Sequence, residues 1–116
     1  MINYDHKVFR SVTNTDNGEV SDETIFHYKQ EGSIIHAEYK GGNILFGTLV
    51  GTVNDQGRLS FRYNHVNTEY ELRGGICTSI PEILSDGRIR LHEKWKWLDD
   101  ENSEGESIIE EIKELT

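Results

Sequence analysis

Turn signals recur along this chain at short, uneven spacing, and they leave room for little but strands. They are Asn17-Gly18, Glu31-Gly32, Gly41-Gly42, Asn54 to Gly57, Asp86-Gly87 and the polar stretch 99–105. The runs between them are rich in Ile, Val, Thr, Tyr, Phe and Trp and mostly alternate with period two. Ala37 is the single alanine, so helix formers are scarce. The pattern predicts strands at 7–12, 24–30, 33–40, 43–53, 58–66, 71–80, 88–98 and 107–113. Elements this close together form an antiparallel meander without long crossovers.

Hairpin register can be tested against side-chain face, because directly opposed residues share one side of a sheet. A two-residue loop at Glu31-Gly32 sets Tyr28 against Ile35, and one at Gly41-Gly42 sets Tyr39 against Ile44. Closing at Asn54–Gly57 sets Val50 against Phe61 and Phe46 against His65. Loops at Thr68-Glu69 and Asp86-Gly87 set Tyr63 against Gly74 and Ile76 against Trp97. The resulting inner face is Phe26, Tyr28, Ile35, Ala37, Tyr39, Ile44, Phe46, Thr48, Val50, Leu59, Phe61, Tyr63, His65, Leu72, Ile76, Thr78, Ile80, Ile89, Leu91, Glu93, Trp95 and Trp97. About eight such strands bend into an all-β up-and-down barrel, closed or nearly so, in the style of lipocalins and avidins. Gly47, Gly51, Gly74 and Gly75, inside strands, mark sharp coiling or close approach. Pro81 cannot donate to a ladder and should end or bulge the sixth strand. The run Ser107–Leu115 fits two templates. Ile108, Ile109, Ile112 and Leu115 have helical spacing behind a Ser107/Glu110 capping box, whereas a closing strand through Ile112 satisfies an open edge. The strand is the expectation adopted here.

The 116 residues read as one domain with an acidic C-terminal segment, 99–116. That segment holds eight acids against Lys113, a net of −7 out of the chain's −9. Residues 1–98 hold 13 acids and 11 bases and are nearly neutral. Such a balance disfavours nucleic acid and anionic membrane surfaces as partners. Arg88, Arg90, Lys94 and Lys96 form a basic outer stripe on the seventh strand. Trp95 and Trp97 point away from it, so the acidic segment next door, rather than a nucleic acid, is its expected partner. No apolar run is long enough to span a bilayer, and no basic-then-apolar leader follows Met1, which points to the cytoplasm.

Glu93 is the anomaly of the inner face. Between Leu91 and Trp95, a bare carboxylate costs several kcal/mol unless it is paired or protonated. It is a structural carboxylate bonded to Tyr28, Tyr63 or water, or a functional group: a ligand anchor or a general acid/base. The candidate ligand-binding set is Tyr28, Tyr39, Tyr63, His65, Glu93, Trp95 and Trp97. His65, near a strand end, is expected at the rim, with a partnership to Glu93 as the alternative. His27 and His36 fall opposite one another outside, with Glu38 as the sole nearby third ligand, too little for a metal site. Cys77 is expected outside, beside Lys96. Leu45, Leu49 and Val53, with Ile34, form an outer apolar patch on 43–53 suited to a homodimer. Neither a metal nor another cofactor is implied.

Several segments resemble a known family. They are Asn17-Gly18-Glu19-Val20, Thr24-Ile25-Phe26-His27-Tyr28, Gly41-Gly42-Asn43-Ile44, Gly47-x-Leu49-x-Gly51, Gly74-x-Ile76-Cys77, Pro81-Glu82, Glu93-x-Trp95-x-Trp97 and Gly105-Glu106-Ser107-Ile108-Ile109-Glu110-Glu111. In this order they resemble short bacterial proteins often labelled N-acetylglutamate synthase, over nearly the whole chain. The label implies acetyl transfer from acetyl-CoA on a mixed α/β fold. Such enzymes hold the cofactor's pyrophosphate on a (Gln/Arg)-x-x-Gly-x-(Gly/Ala) loop at a helix N-terminus. Here Gln30-Glu31-Gly32 reads as a hairpin turn, so no catalytic residue is carried over. The leading expectation is a non-enzymatic barrel that binds a small, partly apolar molecule inside. An enzyme using Glu93, the labelled acetyltransferase included, and a structural dimerising module are the alternatives.

Overall fold

The computed structural model describes residues 2–99 and 102–113. Asp100, Glu101 and Glu114 of the acidic segment, and Leu115 of its apolar run, lie outside them. Eight strands follow in order: β1 Val8–Asn14, β2 Ile25–Glu31, β3 Ile34–Gly41, β4 Ile44–Val53, β5 Leu59–Asn67, β6 Leu72–Ile83, β7 Ile89–Trp97 and β8 Glu104–Glu111. Each pairs antiparallel with the next, and β8 returns to β1, closing the barrel. Among the described residues there is no helix, and so none long and apolar enough to cross a membrane. The C-terminal run adopts the strand rather than the helix because it completes two ladders at once, to β7 and to β1.

The faces of β2, β3, β5 and β7 are as expected, although Tyr28 pairs with Ala37 rather than Ile35, a two-residue shift that keeps the face. Those of β4 and β6 are inverted. Tyr39 pairs with Gly47 rather than Ile44, and Leu49 rather than Thr48 lies against Tyr63. A bulge at Leu45–Phe46 places both residues outside before Gly47 turns back in. Phe46, at 47% exposure, and Val50, at 58%, therefore face solvent, while Leu49 and Val53 are buried. The next hairpin loop is one residue longer than expected, with Val53 paired to Leu59. In β6, Gly75, Cys77 and Ser79 face inward, and Leu72, Ile76, Thr78 and Ile80 face outward. Cys77 lies opposite Trp95, not on the outside. Strand β6 also runs through Pro81 to Ile83. The Leu98 N–H bond to the Gly74 carbonyl shows that even-numbered residues of β6 bond to β7. The missing N–H of Pro81 thus faces the β5 side, beyond the last β5 pair at Ser79.

The strand glycines serve close approach. Tyr39, Tyr63 and Trp95 are direct cross-strand partners of Gly47, Gly75 and Gly105. A methyl group on any of these glycines would collide with the partner ring. Each ring therefore lies across a bare stretch of neighbouring backbone.

Outside, the basic stripe meets the acidic strand. Arg90 contacts Glu110 at 2.8 Å, Arg88 also reaches Glu110, and Lys94 and Lys96 lie opposite Glu106 and Glu104. His27 pairs with Glu38 rather than His36, which lies opposite Lys29.

Candidate functional site

The two ends of the barrel are closed differently. At one end the segment before β1 tucks in: Tyr4 is fully buried, its hydroxyl donates to the Gly57 carbonyl, and its N–H donates to Gln30 Oε1. At the other end the residues between β1 and β2, 15–24, cross the mouth. The Trp97 indole N–H donates to the Asn17 carbonyl, and Asn14 Nδ2 to the Val20 carbonyl.

Glu19, carried by this crossing segment, is its main fastening. Its carboxylate accepts from His65 Nε2 at 2.7 Å, Asn67 Nδ2 at 3.1 Å and Arg73 at 3.2 Å. Arg73 also bonds Asp99 and lies 3.9 Å over the Trp97 ring. Because a carboxylate only accepts, Nε2 carries the hydrogen, and Nδ1 of His65 accepts from the Tyr39 hydroxyl at 2.9 Å. Burial holds His65 below its ordinary pKa despite the adjacent carboxylate, so the pair is a neutral imidazole on an ionised Glu19. Burial raises Glu19, but its bonds to His65, Asn67 and Arg73 outweigh that and hold it low.

Beneath this cover lies a cavity of about 50 Å³. Tyr39, Tyr63, His65, Trp95 and Trp97 line it, with Phe26, Leu49 and Phe61. Glu93 reaches it from β7 and is 8% exposed. Ser79 donates to one of its oxygens at 3.1 Å and Ser107 to the other at 3.0 Å. Burial pushes its pKa up to about 7, offset only in part by bonds from Ser107, Ser79 and Cys77. The carboxyl can therefore hold or release a proton near neutrality.

Six of the seven expected site residues surround this one space. Tyr28 instead packs on Phe9 and Tyr4, and its buried hydroxyl has no hydrogen-bond partner. His65 is not a rim residue: it is 2% exposed and bonds Glu19 and Tyr39, not Glu93. Asn14, Glu19, Cys77, Ser79 and Ser107 were missed. The ten residues between β1 and β2 exceed a tight hairpin turn, and that length was the available signal of a cover carrying Glu19.

No curated protein matches this chain. A family model described as Avidin-like protein matches residues 2–112, whereas nothing supports the N-acetylglutamate synthase label. The matched span takes in all eight strands, from β1 to β8, and the chain belongs to the Avidin-like family.

Proposed function

We propose that this protein binds a small, partly apolar molecule in the barrel interior, between the aromatic walls and Glu93. Barrels of eight strands are the size that encloses one small ligand, and the family's barrels typically do so. The observation that carries the reading is Glu93, a buried carboxyl facing a cavity walled by Trp95, Trp97 and Tyr63. In the proposed site Tyr39, Tyr63, His65, Trp95 and Trp97 shape the apolar body's berth, and Glu93 anchors its polar end. Tyr28 supports the floor.

A space of about 50 Å³ holds only a few waters, so a larger ligand enters by displacing Gly18–Val20 of the crossing segment. Native mass spectrometry of freshly purified protein tests the reading directly: a retained small molecule is expected. Titration followed by indole fluorescence completes the test. Biotin enters the panel because of the family, and acetyl-CoA because of the synthase label. A protein that purifies empty and whose tryptophan emission answers no small molecule would refute interior binding. Turnover of acetyl-CoA, lost in Glu93→Gln, would replace it with the catalytic reading.

The outer sheet supports a second property, self-association. The exposed apolar residues on 43–53 are Leu45, Phe46 and Val50, in place of the expected Leu49 and Val53, which are buried; exposed Ile34 lies opposite Thr52 on the neighbouring strand. Exposed Val50 heads a cross-strand row that runs through Arg62 to Ile76, also exposed, and on to Lys96 and Glu104.

A further inference from the structure

One polar wall of the cavity is a single cross-strand row. Asn14 on β1 pairs with Ser107 on β8, Ser107 with Glu93 on β7, and Glu93 with Ser79 on β6. The row presents acceptors almost exclusively. Both serine hydroxyls are spent on Glu93, whose carboxylate has further lone pairs free. Asn14 turns its amide N–H₂ to Val20, and its buried Oδ1 has no hydrogen-bond partner. The described residues lining the cavity include two acids, Glu19 and Glu93, and no lysine or arginine.

We propose that this row selects ligands whose buried head group is a cationic N–H donor, an amidinium, guanidinium or ammonium, seated on Glu93 and Asn14 Oδ1. The inference rests on the interior-binding reading and gives it a ligand class. A carboxylate head would meet two acids and no free cation in a low-dielectric space. A neutral amide would satisfy Asn14 but leave Glu93 holding its proton. A cation draws Glu93 into its ionised form, the proton leaves to solvent, and a charge-assisted hydrogen bond results.

Binding is therefore proton-linked, and Glu93 is the group that answers. Of the others facing it, the thiol of Cys77 on β6 and the hydroxyls of Tyr28, Tyr39 and Tyr63 on β2, β3 and β5 are kept protonated by burial throughout pH 6 to pH 8. Glu19 is held ionised, and His65, kept below its ordinary value by burial, spends its two ring nitrogens on Glu19 and Tyr39 rather than on Glu93.

Benzamidine, benzamide and benzoate share one flat body and differ in head group, which makes them the probes. Titration at pH 8, read by indole fluorescence and calorimetry, is expected to show benzamidine bound about tenfold or more tightly than benzamide, with benzoate last. Glu93→Gln should erase the amidine's advantage. In the unaltered protein, benzamidine affinity should fall by about tenfold from pH 8 to pH 6, a readout that stands even if the variant fails to fold. Benzamide or benzoate binding as tightly as benzamidine overturns the head-group inference and leaves interior binding intact. Binding by none of the three at millimolar concentration also overturns it, and interior binding is then judged by the retained-ligand mass spectrum. A pH-independent benzamidine affinity removes Glu93 from the site.

Discussion

Ser107 donates its hydroxyl to Glu93 at 3.0 Å across the ladder that makes the two residues direct partners. Together with Ser79 it satisfies a carboxylate that burial makes expensive, without fully offsetting the cost. The folded pKa of Glu93 is about 7 against an ordinary 4.5. Between those values the folded state keeps a proton that the unfolded chain has lost, so this group's contribution to stability falls as pH rises. Above pH 7 the whole cost, about 3 kcal/mol, is present. Glu93→Gln should therefore match the parent near pH 5 and exceed it at pH 8 by about 2–3 kcal/mol. Urea unfolding of both proteins across that range checks this. A variant less stable at pH 8 would make Glu93 a structural carboxylate.

Cys77 offers a chemical test of register. It is 5% exposed, and burial pushes its thiol pKa up. Native protein at pH 8 should resist iodoacetamide for hours, and urea-unfolded protein should label completely. Rapid native labelling would turn β6 outward and take Ser79 away from Glu93.

Why β4 and β6 were misread follows from the same residues. Strand β4 is apolar on both sides, with Leu45, Phe46 and Val50 outside and Ile44, Leu49 and Val53 inside, so alternation could not choose between them. Strand β6 places Gly75, Cys77 and Ser79 inside and Ile76 and Ile80 outside. Its inner face is small because Tyr63 lies across Gly75, Cys77 lines the cavity and Ser79 bonds Glu93, which inverts the usual hydrophobic signal. Reversing one strand changes the hairpins on both its flanks together. Agreement among five turns was therefore blind to errors in alternate strands. The meander, the closing β8 and the inward Glu93, Trp95 and Trp97 were legible, because β7 alternates cleanly. Glu19 was not, because a long loop carries no period to read.

Glu19→Gln should loosen the crossing segment. The amide keeps one acceptor for three donors, and the Arg73 contact loses its charge. The expected loss of stability is about 1–2 kcal/mol. The larger effect should be faster hydrogen exchange at residues 15–24 and easier acrylamide quenching of Trp97. Unchanged quenching would show that Asn14 and Trp97 hold the cover without Glu19.

Gly47→Ala should cost about 1–3 kcal/mol, since the added methyl meets the Tyr39 ring and the His65 Cβ in a packed wall. Gly32→Ala introduces no contact at all and pays only for its left-handed backbone, φ 59°. Thermal melts of the two variants separate crowding from backbone strain, and a milder effect at Gly47 would contradict the ring-on-backbone packing.

Val50→Glu tests self-association. Val50 is 58% exposed and heads the outer row. If copies meet there, light scattering should show dissociation at constant thermal stability; an unchanged mass would place any interface elsewhere.

Seven of the eight seams join strands adjacent in sequence, while the eighth joins β1 to β8. A chain emerging from the ribosome can zip the first six hairpin by hairpin, at small entropic cost each. It must then wait for Glu104–Glu111. Until that strand arrives, β1 and β7 both display open edges ready to pair with another nascent chain, and Glu93 has lost one of its two serines. The barrel's eighth strand thus completes the polar wall in the same event that closes both open edges.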